Sequence, residues 1–159
     1  MNIYTVSLFG HRSLLNPLSA EEHLEREVYK ILKSHSYVNF LIGRTGEFDL
    51  LGALTIRRVM KTYSRINGSL VLVLPYQNSS VENNRDSFLN LYDEIEICPQ
   101  SADAYYKSAF QVRNQNMIDR SDLVLCCIEH EYGGAYQAVR YARQQQCQMI
   151  NLVEGEIFF

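Results

Sequence analysis

No CxxC pair occurs among the four cysteines, which removes the commonest cysteine spacing of a metal site. Cys126 and Cys127 are adjacent within an apolar run. Neighbours on a strand point to opposite faces, so these two are badly placed to share one ion. With Cys98 and Cys147 they read as small buried hydrophobes in a reducing cytoplasm. The chain also lacks a P-loop, a GxSxG elbow, an HExxH helix and a GxGxxG turn. Ordinary dinucleotide oxidoreductase chemistry is therefore disfavoured, and no metal or required cofactor is expected. No apolar run approaches the roughly 20 residues of a membrane helix. The start, MNIYTVSLFG, has neither the basic nor the long apolar region of a signal peptide. A cytoplasmic location without membrane attachment is the expectation. Charge is scarce as well: the formal net value is −3. That argues against coating nucleic acid by charge alone but leaves room for a local basic groove.

What is present is a chain of 159 residues with 47% hydrophobic content, enough for one domain with a real core. Apolar runs of strand length recur at 3–9, 38–43, 70–75, 123–128 and 148–153, with a weaker one at 94–98. Most are nearly continuous rather than alternating, as in strands covered on both faces. Helical stretches lie between them. Ser19 and Glu22 make a capping-box pattern, followed by an apolar stripe of Leu24, Val28, Ile31 and Leu32. Residues 47–65, 101–120 and 133–146 read as further helices, with Ser101 as a cap of the third and Tyr106, Phe110 and Met117 facing inward. Residues 76–87 read as a polar loop leading to a short helix, and the terminal EGEIFF is too short to interpret. The alternation predicts an α/β fold over residues 1–159: a single three-layer domain with a mostly parallel sheet.

In such sheets ligands bind beyond the carboxyl ends of the strands. That rule selects GHRS at 10–13, GRTGEFD at 43–49, PYQN at 75–78 and EHEYGGA at 129–135. Gly10, Gly43, Gly46, Gly133 and Gly134 would let a ligand approach the backbone, and the helix starting near Gly134 would present free N–H groups to an anion. A plain strand–helix turn is the competing explanation of the glycine pair. Arg12, following His11, and Arg113, beside Asn114 and four residues before Met117, offer planar forks suited to phosphate or loop and surface ion pairs. Glu129 and Glu131 flank His130; carboxylates there could act as base or nucleophile, or only solvate a loop. Arg57, Arg58, Lys61 and Arg65 crowd one helix, a solvated face or a nucleic-acid patch.

The ordered segments FGHR at 9–12, GRTGEFDLLGA at 43–53, VLPY at 73–76, RNQNMIDRSDLVL at 113–125 and YGGAYQAVRYA at 132–142 resemble the SLOG superfamily of Rossmann-like domains. Within it the bacterial TGHR-type proteins are the nearest in pattern. The superfamily includes LOG-type phosphoribohydrolases and the DNA-processing proteins that bind single strands. The resemblance implies a small nucleotide-like ligand at the strand ends, with its phosphate near Gly133 and Gly134, and self-association into a homo-oligomer. Arg12 and Arg113 would pair with phosphate or ribose oxygens. Gly43, Arg44, Thr45, Gly46, Pro75 and Tyr76 would line the remainder, and Asp49 would cap a helix or hold a ribose hydroxyl. Arg44 replaces a small residue of the family pattern and could point at a ligand or block the pocket. The catalytic glutamate of LOG-type enzymes falls on Arg140, and the nucleophile of the deoxyribosyltransferases falls on Ala138. Binding without cleavage is thus the first expectation. A nucleotide N-glycosidase using Glu47, Glu129 or Glu131 is the second, and a single-stranded DNA-binding domain using the Arg57–Arg65 face is the third.

Overall fold

The computed structural model describes residues 2–153, so the terminal EGEIFF lies outside the described residues. Six strands form one sheet: β1 (Ile3–Gly10), β2 (Tyr37–Ile42), β3 (Gly68–Leu74), β4 (Glu94–Ile97), β5 (Leu123–Cys127) and β6 (Gln148–Asn151). Their order is β4-β3-β2-β1-β5-β6 and every pairing is parallel. The mostly parallel sheet expected from the sequence is wholly parallel among the described strands. The chain builds outward from β1 to β4, then returns to place β5 on the other side of β1. The β1–β5 junction is the switch point, where diverging connections leave a crevice.

The period of two along each strand divides the core into two layers. Val6 and Leu8, Phe40 and Ile42, Leu70 and Leu72, and Leu125 and Cys127 pack against α1 (Pro17–Ser34) and α2 (Glu47–Thr62). Phe9, Leu41, Val71, Val73, Val124 and Cys126 pack on the opposite face against α6 (Tyr106–Asp119) and α7 (Gly134–Gln144). The adjacent cysteines therefore face opposite layers, and burial pushes the Cys127 thiol up to about 12. A thiol held protonated in this way is a core hydrophobe, not a nucleophile. Among the described residues no helix is long and apolar enough to cross a membrane.

Local chemistry moves several boundaries. The cap of α1 is Asn16, whose side chain accepts from the Ser19 N–H at 3.3 Å, with Pro17 at the first helical position. The capping box expected at Ser19 is displaced by a better arrangement three residues earlier, because proline there has no N–H to satisfy. The 76–87 segment is largely helical, as α3 (Ser79–Asn83) and α4 (Arg85–Leu91), with Asn78 capping α3. The single helix expected over 101–120 is two: α5 (Pro99–Ala102) and α6. Ser101 is no cap; its buried hydroxyl bonds to the carbonyls of Pro75 and Cys98. Tyr106, expected inward, is 65% exposed at the start of α6.

The sheet edge is closed by a tight crossing of β1 over α2. A Cβ on Gly10 would lie 2.2 Å from Cγ of Phe48, a fully buried ring. Gly52 is less confined: its Cβ would meet the Cδ1 end of Ile42 at 2.9 Å. Gly10→Ala should cost about 1–3 kcal/mol or more by overpacking. Gly52→Ala should be near neutral, because a methyl end can yield and alanine gains about 1 kcal/mol of helix propensity. Urea denaturation of the two variants checks this; equal losses would mean that the crossing is not the tighter contact.

Candidate functional site

The carboxyl ends of β1, β2 and β5 surround a cavity of about 420 Å³ at the switch point. Its walls come from three loops and one helix. Gly10, His11 and Arg12 follow β1, and Gly43, Thr45 and Asp49 follow β2. Gly133 and Gly134 follow β5, while Arg113 and Asn114 reach in from α6. Residues far apart in the chain thus meet because parallel strands all present their carboxyl ends on one edge.

The loop after β1 is held from both sides. Its carbonyls serve α2: the Glu47 N–H donates to the Arg12 carbonyl at 2.8 Å and the Phe48 N–H to that of His11 at 3.4 Å. Its N–H groups are met by carboxylates. Glu47 accepts from Leu14 at 2.6 Å, and the two oxygens of Glu129 accept from Leu15 at 3.1 and 3.0 Å. Gly46 has φ +110°, and a Cβ there would fall 2.5 Å from the Cα of Arg12. The N-terminus of α2 is therefore occupied by the protein itself.

The N-terminus of α7 is not. Its first N–H groups, those of Gly134, Ala135 and Tyr136, donate to no acceptor among the described residues, and no side chain caps the helix. Gly133 has φ +95°, which only glycine adopts without strain. Where a Cβ would sit on Gly133 or Gly134 nothing lies within 4 Å. Open space and unpaired donors coincide here, at the positive end of an eleven-residue helix.

Arg113 forms the floor. It is 5% exposed, and its acceptors are neutral: Nη1 donates to the Val73 carbonyl at 3.1 Å, Nε and Nη2 to the side-chain oxygen of Asn114 at 3.1 and 2.8 Å. Its guanidinium also lies 5.2 Å from the Phe110 ring centre. Burial lowers its pKa, and the Asp49 carboxylate opposes that. Both groups crowd Gly43, whose Cβ would meet Nη1 of Arg113 at 2.8 Å and a carboxylate oxygen of Asp49 at 3.1 Å. Asp49 accepts from the Thr45 N–H at 2.9 Å, three residues into α2, which is a cap-like role. Burial pushes its carboxyl up to about 6 against the pull of that hydrogen bond and of Arg113.

Other expected residues lie elsewhere. Arg44 stands over the Phe88 ring at 5.3 Å and, with Gly46, lines a neighbouring depression, so it does not fill the main cavity. Pro75 and Tyr76 line a small adjoining hollow, where Tyr76 meets Phe110 edge-on. Met117 is fully buried and its carbonyl accepts from Ser7 and Ser121, so it supports the sheet. Glu131 is exposed and does not line the cavity. Arg140 is also exposed, 5.9 Å from the Tyr136 ring, on a groove between α6 and α7. The basic face at 57–65 is neutralised in part: Arg57 pairs with Asp93 at 3.0 Å and Arg58 with Glu21 at 3.0 Å, while Arg65 lies over the Tyr29 ring. Among the wall residues not singled out from the sequence as ligand contacts are three with rings, Phe110, His130 and Tyr132. For Phe110 the signal was its position three residues before Arg113 on one helix; for the other two it was their place in the segment between β5 and the glycine pair.

No family model matches the sequence, and no curated protein matches it. Solved structures do. The fold is similar to that of DNA processing protein A from Streptococcus pneumoniae, with a TM-score of 0.65 and 11% identity, over 98% of this chain and 52% of that one. It is also similar to DNA processing protein A from Helicobacter pylori, a structure described for its single-stranded DNA binding mode. There the TM-score is 0.62 and the identity 15%, over 92% of this chain and 63% of that one. The chain thus spans 52% and 63% of these neighbours, and likeness at such identities shows a Rossmann-like fold.

The raised Asp49 carboxyl carries a pH signature. Its value of about 6 lies above the ordinary 3.8, so between the two the folded chain keeps a proton that the unfolded chain releases. This group's contribution is present below that window and lost as pH rises through it, on the order of 3 kcal/mol in full. His11 acts oppositely: burial, then His130, lowers its pKa, so stability is lost as pH falls below its ordinary range. Comparison with Asp49→Asn cancels the histidine. Relative to the parent, that variant should gain on the order of 1–3 kcal/mol in urea denaturation between pH 4 and pH 7.5. A constant difference across that range would mean an ordinary, solvated carboxylate.

Proposed function

We propose that this domain binds a phosphate-bearing, nucleotide-type ligand at the β1–β5 switch point and releases it unchanged. The observation that carries this is the contrast between two helix N-termini on one sheet edge. That of α2 is filled by the carbonyls of His11 and Arg12. That of α7 is left open beside two glycines with empty space where side chains would be. An anion there would receive N–H donors aligned with the helix dipole. Arg12, exposed at the rim, supplies a second cation, and the buried guanidinium of Arg113 is currently held by neutral acceptors. A desolvated cation with neutral partners gains most from an incoming negative group. The ordered sequence segments and the fold likeness together support placing the chain with the SLOG superfamily, near its TGHR-type branch.

Binding is favoured over glycosidic cleavage by where the carboxylates are. Glu47 and Glu129 are committed to backbone N–H groups, and Ala138, at the nucleophile position of one related fold, is buried in the core. Among the described residues Asp49 is the one carboxylate on the cavity wall, and it is tied to Thr45.

The test is thermal stability against nucleoside mono- and diphosphates, cyclic nucleotides, adenosine diphosphate ribose and NAD. A ligand at 100 times its Kd adds roughly 2.7 kcal/mol. The control is Gly134→Asp. Its Cβ meets nothing within 4 Å. A carboxylate at the first helical position stabilises a helix by about 0.3–1 kcal/mol, yet it would repel a phosphate. The variant should keep or exceed the parent's ligand-free stability and lose the ligand shift. A retained shift would move the anion away from α7, and release of free base would turn the binder into an enzyme.

A second reading, a single DNA strand with phosphates at this same edge, draws on the likeness to the Helicobacter pylori protein. It does not draw on the 57–65 face, where Arg57 and Arg58 are already paired with carboxylates. Oligonucleotide affinity should then fall with salt by a slope of about −0.7 per phosphate neutralised. A flat response would leave the mononucleotide reading alone.

A further inference from the structure

Three rings line one wall of the strand-end cavity in a continuous stack. His11 and His130 have centroids 3.6 Å apart and planes 18° apart. His130 and Tyr132 repeat this at 3.7 Å and 18°. The stack begins on a buried residue, His11 at 6% exposure, and ends on Tyr132 at 68%. One face of the Tyr132 ring is covered by His130. Among the described residues no other ring or cation lies against it. A tyrosine on a coil segment would ordinarily swing freely between rotamers. Here His130, itself backed by His11, covers one face of the ring, and the loop that carries His130 is tied to the loop after β1 through Glu129.

Tyr132 directly precedes Gly133 and Gly134, and all three line the same cavity. A flat ring with a free face thus stands beside the unpaired N–H groups of α7. Such a pairing of a π surface with an anion seat matches a molecule that has both a phosphate and a flat base. A sugar phosphate has only the first.

We propose that Tyr132 is the base-stacking platform of this site: the ligand's base adds a fourth ring to the His11–His130–Tyr132 stack while its phosphate sits on the first turn of α7. This rests on the phosphate-binding reading above and narrows the ligand to base-bearing phosphates. The ladder explains why an aromatic side chain is held rigid at the rim: a preset plane loses little freedom when a base settles on it.

The chain contains no tryptophan, so Tyr132→Trp introduces a single reporter at the platform. The probes are adenosine 5′-monophosphate and ribose 5-phosphate. With Tyr132→Trp the nucleotide should bind as to the parent and quench the emission, whereas ribose 5-phosphate should leave it unchanged. Tyr132→Ala should weaken the nucleotide roughly ten-fold, the usual scale of one base–aromatic stack, and leave ribose 5-phosphate as it was. Equal weakening of both probes, or of neither, overturns the platform. Nucleotide binding that Gly134→Asp abolishes and Tyr132→Ala leaves intact removes the platform while sparing the phosphate seat. Failure of both probes to bind the parent removes the two together.

Discussion

The carboxyl edge of the sheet is governed by the need to satisfy backbone hydrogen-bonding groups in the segment after β1. That segment cannot form regular structure, because it must turn from the central strand towards α1. Its carbonyls at His11 and Arg12 are taken up by the first N–H groups of α2, and its N–H groups at Leu14 and Leu15 by the carboxylates of Glu47 and Glu129. A hydrogen bond to a charged group is worth about 1.5–3 kcal/mol net at best, and together these contacts tie the loops to one another. They also decide which helix end is free. With α2 occupied, the donors of α7 are the ones left facing the cavity.

The same constraint explains why the fold was legible in the sequence and much of the site was not. Strands announce themselves by composition: the runs at 3–9, 38–43, 70–75 and 123–128 are apolar on both faces because helices cover both. Of the residues the ordered motifs selected, His11, Arg12, Gly43, Thr45, Asp49, Arg113, Asn114 and the glycine pair line one cavity. What no local pattern discloses is a hydrogen bond across 114 residues, such as that from Leu15 to Glu129. Read locally, Glu129 and Glu47 looked like free carboxylates near a turn; in three dimensions they are braces. The stack of His11, His130 and Tyr132 is hidden for the same reason, since its first two rings come from opposite sides of the switch point.

Part of the resemblance also proves to be about packing. Ser121 and Asp122 precede β5 and so lie at the opposite edge from the cavity. Ser121 joins Ser7 at 2.6 Å and the Met117 carbonyl at 2.6 Å, and Asp122 accepts from the Thr5 N–H at 2.8 Å. Tyr141 donates to Asp119 at 2.6 Å, and Ala142 is fully buried beneath the sheet. These pieces of the pattern hold β1, β5, α6 and α7 in register. None of these four residues lines the strand-end cavity, so they carry no weight in choosing among ligands.

What does carry weight is the pairing of Arg113 with Gly43. The guanidinium is buried, yet it is held by one carbonyl, one amide and an aromatic face, with Asp49 across the glycine. If the arginine served only to neutralise Asp49, a direct ion pair would satisfy both groups better, yet its N–H groups go to the Val73 carbonyl and the Asn114 side chain. If it served only to pack, a methionine would fill the same space without the cost of desolvating a charge. A cation kept buried and partly compensated on a cavity wall is what the anion of the proposed function would complete. Gly43 is then the residue that makes it possible: any side chain there would collide with the guanidinium and push it out of the floor.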